Sequence, residues 1–338
     1  MFAFLILFSL FVGLLRADTE CPFVSSSGDR RKYNDRLRLM QYNVEWLFID
    51  YYSNADCPGN GCSWKNTSEA KKHMEYVIDA IHSLNPDIIN FCEIEGCDEL
   101  QMIKDNIGGD YNGYLKKGTD SSTGQNVGML TRIDPNINLY RTETKFSYPI
   151  AGSKCGYTGS GSTGVSKHYI TEFKINNFNI AFISAHLIAI PTDPARCAQR
   201  EAQATILQGV LNEYSKKDFE MIILGDFNDY DGEILDTNSN QPKSIVLDIL
   251  KGRNGGNYEL FSVAETIVKN ERYSDWWDSD NNCNTASKND YSMIDHVLVT
   301  SALRQIIVNT FIYHGYDEYC GKYNSDHYPV VVDFYFDL

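Results

Sequence analysis

Four polar clusters sit at the ends of apolar, strand-like runs in this chain. Together they hold the groups that hydrolytic chemistry needs. Near the C-terminus, Asn324-Ser325-Asp326-His327-Tyr328-Pro329 runs straight into Val330-Val331-Val332-Asp333-Phe334. A carboxylate bound to one ring nitrogen of an imidazole fixes the tautomer and raises the basicity of the other nitrogen, so an Asp-His pair at a strand start is a candidate acid–base site. Asn43 follows Leu39-Met40-Gln41-Tyr42, Glu93 ends Ile88-Ile89-Asn90-Phe91-Cys92, and Asp226 and Asn228 follow Met221-Ile222-Ile223-Leu224-Gly225. Glu93 offers the hard oxygen that magnesium takes in small numbers beside a phosphate. Asp226 can orient or deprotonate a water. Asn228, at an alternate position and so on the same side, can donate to a phosphoryl oxygen. His186 ends the run Ile183-Ser184-Ala185. Asp295-His296 joins Tyr291-Ser292-Met293-Ile294 to Val297-Leu298-Val299, where a period-two strand turns only one of the pair toward a common site. Singly, a strand-end Glu, a Gly-Asp turn or an Asp-His dipeptide is ordinary structure. Their joint placement is informative, because α/β proteins build sites at the ends of buried strands.

The elements that must carry these residues alternate. Arg38 to Phe48 reads as a strand. Ser68 to Leu84 reads as a helix capped by Thr67 or Ser68, with Lys71, Lys72 and Glu75 on its wet face and Pro86-Asp87 stopping it. Further strands are expected at 88–93, 127–131, 168–175, 179–185 and 220–224, with Asn176-Asn177 turning one hairpin, and a second helix at 195–214. The Gly- and Ser-rich stretch 148–164 and residues 229–242 read as loops. There is no repeat and no interdomain linker. The pattern predicts one α/β domain of two packed sheets with helices outside, since several strands follow one another through short turns.

The 338 residues suit one large domain, and a hydrophobic fraction of 43% supports a real core. A net charge of −15 argues against cation-driven nucleic-acid binding but is compatible with an enzyme that meets phosphates through a divalent metal. Residues 2–15 form an apolar run too short to span a membrane, and a cleavage site follows Ala17, so the run reads as a signal peptide. Nine cysteines fit an oxidising compartment. Cys57 and Cys62 bracket a turn, Cys92 is expected as the buried free thiol, and Cys155, Cys197, Cys283 and Cys320 are expected to pair among themselves. Asn66-Thr67-Ser68 is a glycosylation sequon.

Gln41-Tyr42-Asn43-Val44, Cys92-Glu93, Ser184-Ala185-His186-Leu187, Leu224-Gly225-Asp226-Phe227-Asn228, Met293-Ile294-Asp295-His296 and Ser325-Asp326-His327-Tyr328-Pro329 resemble, in order, the motif series of the endonuclease/exonuclease/phosphatase superfamily, the pancreatic deoxyribonuclease type of fold. The resemblance implies a four-layer α/β/β/α sandwich of two mainly antiparallel sheets with outer helices. It divides the chain into a signal peptide (1–17), an N-terminal extension (18–36) and one domain (37–338). It implies a metal-dependent phosphodiesterase or phosphomonoesterase in which Glu93 holds Mg²⁺, or Mn²⁺ or Ca²⁺ in its stead, with Asn43 nearby. His327 is then the general base for water or a donor to the scissile phosphate, paired with Asp295, and Asp326 supports the metal or the histidine. Asp226 and Asn228 set the nucleophile and the phosphoryl oxygen, His186 acts on the leaving-group side, and His296 is a bystander on the opposite strand face.

Two segments resemble secreted nucleases. Gly124-Gln125-Asn126-Val127 resembles the segment whose polar residue, here Gln125 or Asn126, contacts the leaving-group histidine. Arg272-Tyr273-Ser274-Asp275-Trp276-Trp277 resembles an element whose aromatics, Tyr273 and Trp276 here, would stack on substrate, although core packing is as good an account of one of the two tryptophans. The expectation is a secreted, monomeric endonuclease acting outside the cell or in the lumen of the secretory or endolysosomal pathway, with nucleic acid as substrate and no obligate protein partner. The rivals are a secreted sphingomyelinase-like enzyme recognising a lipid head group and a non-catalytic binding protein on the same scaffold.

Overall fold

Side chains alternate across each strand, and this sorts most of the buried apolar residues, among those described, into a central core and two outer ones. The computed structural model describes residues 21, 28–49, 63–278, 282, 288–316 and 323–336. The expected signal peptide and Cys57, Cys62, Cys283 and Cys320 lie outside the described residues.

One sheet has six strands in the order β14 (Ile307–Ile312), β15 (Val330–Tyr335), β1 (Arg36–Leu47), β2 (Ile88–Ile94), β4 (Asn126–Thr131), β3 (Asn112–Leu115). The other has five, in the order β10 (Phe261–Ser262), β13 (Asp295–Val299), β9 (Glu220–Asp226), β8 (Phe178–His186), β7 (Lys167–Ile175). Each sheet contains a single parallel pair, β1 with β2 and β8 with β9, and is otherwise antiparallel. Helix α1 (Thr67–Leu84) crosses over between β1 and β2, and α3 (Pro194–Ser215) between β8 and β9. This matches the general need of parallel neighbours for a long crossover.

Along β1, Leu37 and Leu39 face the other sheet, where they join Phe182, Leu224, Val297 and Val332 in the central core. Met40, Tyr42 and Val44 face outward to Met74, Val77 and Ile81 of α1 and to Leu100 and Ile103 of α2 (Cys97–Ile107). On the far side, Ile183 and Ile223 pack against Leu207 and Leu211 of α3 and against α4 (Val246–Leu250). The layers are therefore helix, sheet, sheet, helix, as expected.

Local differences have local causes. Asn66, one residue before the expected cap, closes α1 by accepting from the Glu69 N–H at 3.1 Å, and Asn85 ends the helix in the left-handed region. Helix α2 has only Leu100 and Ile103 as its buried apolar residues and begins after Gly96, which has no capping side chain, so it carries little periodic signal. The stretch 148–164 is not all loop. Strands β5 (Phe146–Tyr148) and β6 (Gly161–Thr163) pair there, and a Cys155–Cys197 disulfide ties the stretch to α3. A second disulfide, Cys21–Cys97, and the Arg30–Asp134 ion pair at 2.6 Å hold the N-terminal extension on the domain. Cys92 is a buried free thiol.

Gly225 has φ 144°, and a Cβ there would lie 1.8 Å from the Ala185 carbonyl oxygen. Gly225→Ala is expected to destabilise the fold by more than about 2 kcal/mol in a denaturation experiment, because backbone rather than a movable side chain blocks the space.

Candidate active site

Both parallel pairs end at the same rim of the sandwich, and there the chain departs from regular strand geometry. Glu45, Trp46, Glu93 and Asn228 all have positive φ, between 44° and 65°. The β1–β2 register shifts between Asn43 and Leu47, and the β2–β4 register between Cys92 and Ile94. Bulges of this kind re-aim side chains at strand ends, and strained residues persist only where the surroundings over-determine them.

His327 is 6% exposed, and its Nδ1 lies 2.7 Å from Asp295 Oδ2. Asp295 is itself held. Gln41 donates to its Oδ1 at 3.1 Å and Ser274 to its Oδ2 at 2.9 Å. The chain of donors continues through the central core: Tyr169 Oη donates to Asn90 Oδ1 at 2.6 Å, and Asn90 Nδ2 to Gln41 Oε1 at 2.5 Å. Burial lowers the pKa of the His327 imidazole, but Asp295 and then Asp326 outweigh it and hold it well above the ordinary histidine value. The pair therefore adds stability that is fully present below the ordinary histidine pKa and is lost as pH rises through the raised one.

Opposite the dyad, Glu93, His186 and Asp226 each present a ligand atom, all within 4.8 Å of one another. His186 Nε2 lies 3.5 Å from Asp226 Oδ2 and 3.8 Å from Glu93 Oε1. Asn43 donates Nδ2 to Asp226 at 3.0 Å and to Glu93 at 3.3 Å, so it anchors the two acids. Its Oδ1 accepts from the Glu45 N–H at 3.1 Å. Asn43, the expected metal ligand, thus lies against both acids with its oxygen turned to the Glu45 N–H. Asn228 stands beside Asp226: its N–H bonds Asp226 Oδ1 at 2.8 Å and its Nδ2 reaches the Leu187 carbonyl at 3.2 Å. Burial pushes Asp226 up to about 8, with Asp295 adding to the shift. Burial likewise lifts Asp326 to about 7. Carboxylates so crowded and so shielded are costly to ionise unless a cation joins them, and two hard oxygens with one imidazole nitrogen fit a divalent ion.

Residues 40–327 match the Endonuclease/Exonuclease/phosphatase family. The chain belongs to that family. No curated protein sequence matches it. Its fold is similar to an endonuclease/exonuclease/phosphatase from Bacteroides vulgatus, with TM-score 0.53, 15% identity, and coverage of 89% of this chain and 99% of that one. It is similar too to D. rerio TDP2 complexed with a single-strand DNA product, with TM-score 0.51, 16% identity, and coverage of 88% and 98%. A family protein from Bacteroides thetaiotaomicron gives TM-score 0.52 and 17% identity, with coverage of 90% and 96%. At these identities the likeness is one of fold. Membership makes the chain a hydrolase of the phosphoester-cleaving type.

Within this family member the expected substrate residues are placed differently from their expectation. Gln125 does not touch His186. It accepts from the buried Lys167 ammonium at 3.0 Å, and Lys167 is the cross-strand partner of His186. Asn126 closes a loop, its Nδ2 donating to the Glu95 and Gly124 carbonyls and its Oδ1 accepting from the Gly118 N–H. Tyr273 is stacked on His314 at 3.7 Å and packed at a tilt on Tyr291 at 4.3 Å. Trp276 is 2% exposed and part of the central core, whereas Trp277 is 66% exposed. His186 is pushed well below the ordinary histidine value, by burial first and then by Lys167, so it is neutral. His296 lies on the other face as expected, stacked on Phe227 with Nε2 at 2.9 Å from the Asp229 carbonyl.

Gln41, Ser274, Asp275 and Lys167 went unassigned in the sequence. The available signal for Gln41 was a polar residue at an inward position of an apolar strand. Lys167 had no signal, because its meaning depends on the register that sets it opposite His186.

Two outcomes follow from this geometry. In the metal-free protein, NMR titration should find His327 protonated above the ordinary histidine pKa, and Asp295→Asn should move it down. Trp276→Ala should cost about 3 kcal/mol or more in stability, as large buried aromatics do, while Trp277→Ala should leave the melting temperature nearly unchanged.

Proposed function

We propose that the chain is a secreted, divalent-metal-dependent phosphodiesterase that cleaves nucleic acid by attack of water. In this reading residues 1–17 are a signal peptide, 18–36 an extension, and the domain from 37 onward carries the chemistry; the enzyme acts as a monomer. The observation that carries it is the meeting, at one rim, of the Asp295–His327 dyad with the Glu93–Asp226–His186 cluster. Phosphodiester hydrolysis needs a positioned water, neutralised phosphoryl oxygens and help for the leaving oxygen, and the two groups together supply donors and acceptors for each.

Glu93 and Asp226 would hold the metal, with Mg²⁺ the first choice for a donor set dominated by carboxylate oxygen. When bound, such an ion neutralises charge on the phosphoryl oxygens and lowers the cost of keeping Asp226 ionised. His327, held by Asp295 through Nδ1, presents Nε2 at the reacting centre. Asn228 holds the turn at Asp226 and can donate to the phosphate. His186, neutral and enclosed, donates a hydrogen bond on the leaving-group side without carrying charge. Asp326 adds negative charge beside the imidazolium, its Oδ1 3.9 Å from Nε2. The disulfides Cys21–Cys97 and Cys155–Cys197 support an oxidising compartment. Exposed Trp277, two residues from the Asp275 backbone that is bridged to His327, offers the aromatic face for a base.

The test is nicking of supercoiled plasmid in Mg²⁺. Glu93→Gln and His327→Ala should each lower the rate by about 1,000-fold or more with the fold intact, and EDTA should abolish it. Near wild-type rates in either variant would break the assignment. A folded wild type that leaves plasmid intact but cleaves sphingomyelin would make the substrate a lipid head group. Mg²⁺ should also raise the melting temperature of the wild type more at pH 8 than at pH 6, because protons compete for Asp226. Glu93→Gln should lose most of that rise.

A further inference from the structure

The Asp295–His327 dyad leaves a question about the attacking water. His327 Nδ1 is committed to Asp295 at 2.7 Å, and with the ring protonated Nε2 has a proton to give and no lone pair to receive one. Asp226 is assigned to the metal, and each of its oxygens already takes one protein donor: Oδ1 the Asn228 N–H at 2.8 Å and Oδ2 Asn43 Nδ2 at 3.0 Å. A third acid stands on the open side of the imidazole. Asp275 Oδ1 lies 3.7 Å from His327 Nε2, and the Asp275 side chain keeps 10% of its surface exposed. Its other oxygen is fixed by Ser292 Oγ at 2.8 Å, and the backbone of Asp275 is bridged to that of His327, so the separation is set by main chain as well as side chain. Among the described residues nothing donates a hydrogen bond to Asp275 Oδ1. Asp326 Oδ1, at 3.9 Å from the same nitrogen, is sealed from solvent.

We propose that Asp275 is a further catalytic residue of this site, the carboxylate that holds the attacking water against His327 and takes its proton. A donor and an acceptor 3.7 Å apart can both reach one oxygen at about 2.8 Å. That oxygen must accept from Nε2–H and donate to Oδ1. Water does both, and an ionised phosphoryl oxygen cannot donate. In the step, the water O–H bond breaks and its proton passes to Asp275 Oδ1 as the water oxygen bonds phosphorus. The P–O bond to the leaving group breaks, the electron pair goes with the leaving oxygen, and solvent protonates it. Asp275 then returns its proton to solvent. Burial, before other influences, pushes the Asp275 carboxyl up to about 6, which suits a proton acceptor near neutral pH.

This inference rests on the phosphodiesterase reading, and the experiment separates the two. Cleavage of an end-labelled oligonucleotide in Mg²⁺ is followed for wild type, Asp275→Asn and Asp275→Gly, with melting temperatures alongside. Asp275→Asn keeps the shape and can keep a bond to Ser292. It should lower kcat by about 100-fold or more while KM stays within about threefold, the pattern of a lost general base. Asp275→Gly should fall as far and should recover about tenfold in added formate, which a structural role would not produce. A kcat within about threefold of wild type in Asp275→Asn, or no response to formate in a folded Asp275→Gly, would overturn the proposal and leave the phosphodiesterase reading standing. A folded wild type that cleaves neither oligonucleotide nor sphingomyelin would overturn both.

Discussion

A line of hydrogen bonds through the middle of the sandwich is the constraint that the site depends on. Tyr169, Asn90, Gln41, Asp295 and His327 come from both sheets and from the segment before β15, and each holds the next. All five are nearly or fully buried. A polar group placed in an apolar core without partners is destabilising, and a satisfied network in the same place specifies one arrangement. Asn90 and Gln41 are register partners on the parallel pair β1–β2, so a one-residue slip of β1 would send Gln41 to the helix side and leave Asp295 without its Gln41 donor. The sheets are thereby locked in the relation that sets the histidine's orientation.

The same parallel pairs determine where charge collects. Parallel strands need crossover helices, the helices cover the outer faces, and the strand ends are left to converge at one rim. Asn43 and Glu93 arrive there from one sheet and His186 and Asp226 from the other. Bulges and left-handed residues then turn the acids inward. Several carboxyl groups at this rim are pushed toward their neutral form by burial and by one another, so the apoprotein stores unfavourable electrostatics in the cleft that a divalent cation or a bound proton relieves. Lys167 is the buried cation set against this crowd, pinned by Gln125 opposite His186.

The exposed and buried halves of Trp276-Trp277 show how adjacent residues of one type divide between stability and surface. The short strand of Asp275 and Trp276 turns Trp276 into the central core and leaves Trp277 in solvent. Asp275 is drawn beside His327 by the same backbone bridge. A stretch that reads in sequence as an aromatic platform is thus also the element that sets an acid 3.7 Å from the His327 ring.

Period and order were legible in the chain alone. Alternation along 38–48, 88–93 and 220–224 and the helical stretches near 68–84 and 195–214 sufficed for two sheets with outer helices. Polar residues at the ends of those strands, in family order, marked Glu93, Asp226, Asp295 and His327 as residues that would gather, and they meet at one rim, because strand ends are local features that a linear pattern can mark. What lies across strands was not legible. Whether Gln125 meets His186 or Lys167, whether Asn43 offers oxygen or nitrogen, which tryptophan is buried, and that Asp275 stands 3.7 Å from an imidazole 52 positions away are decided by register and by sheet-to-sheet packing. Those relations depend on contacts between residues far apart in sequence, and the fold alone brings such residues within reach of one another.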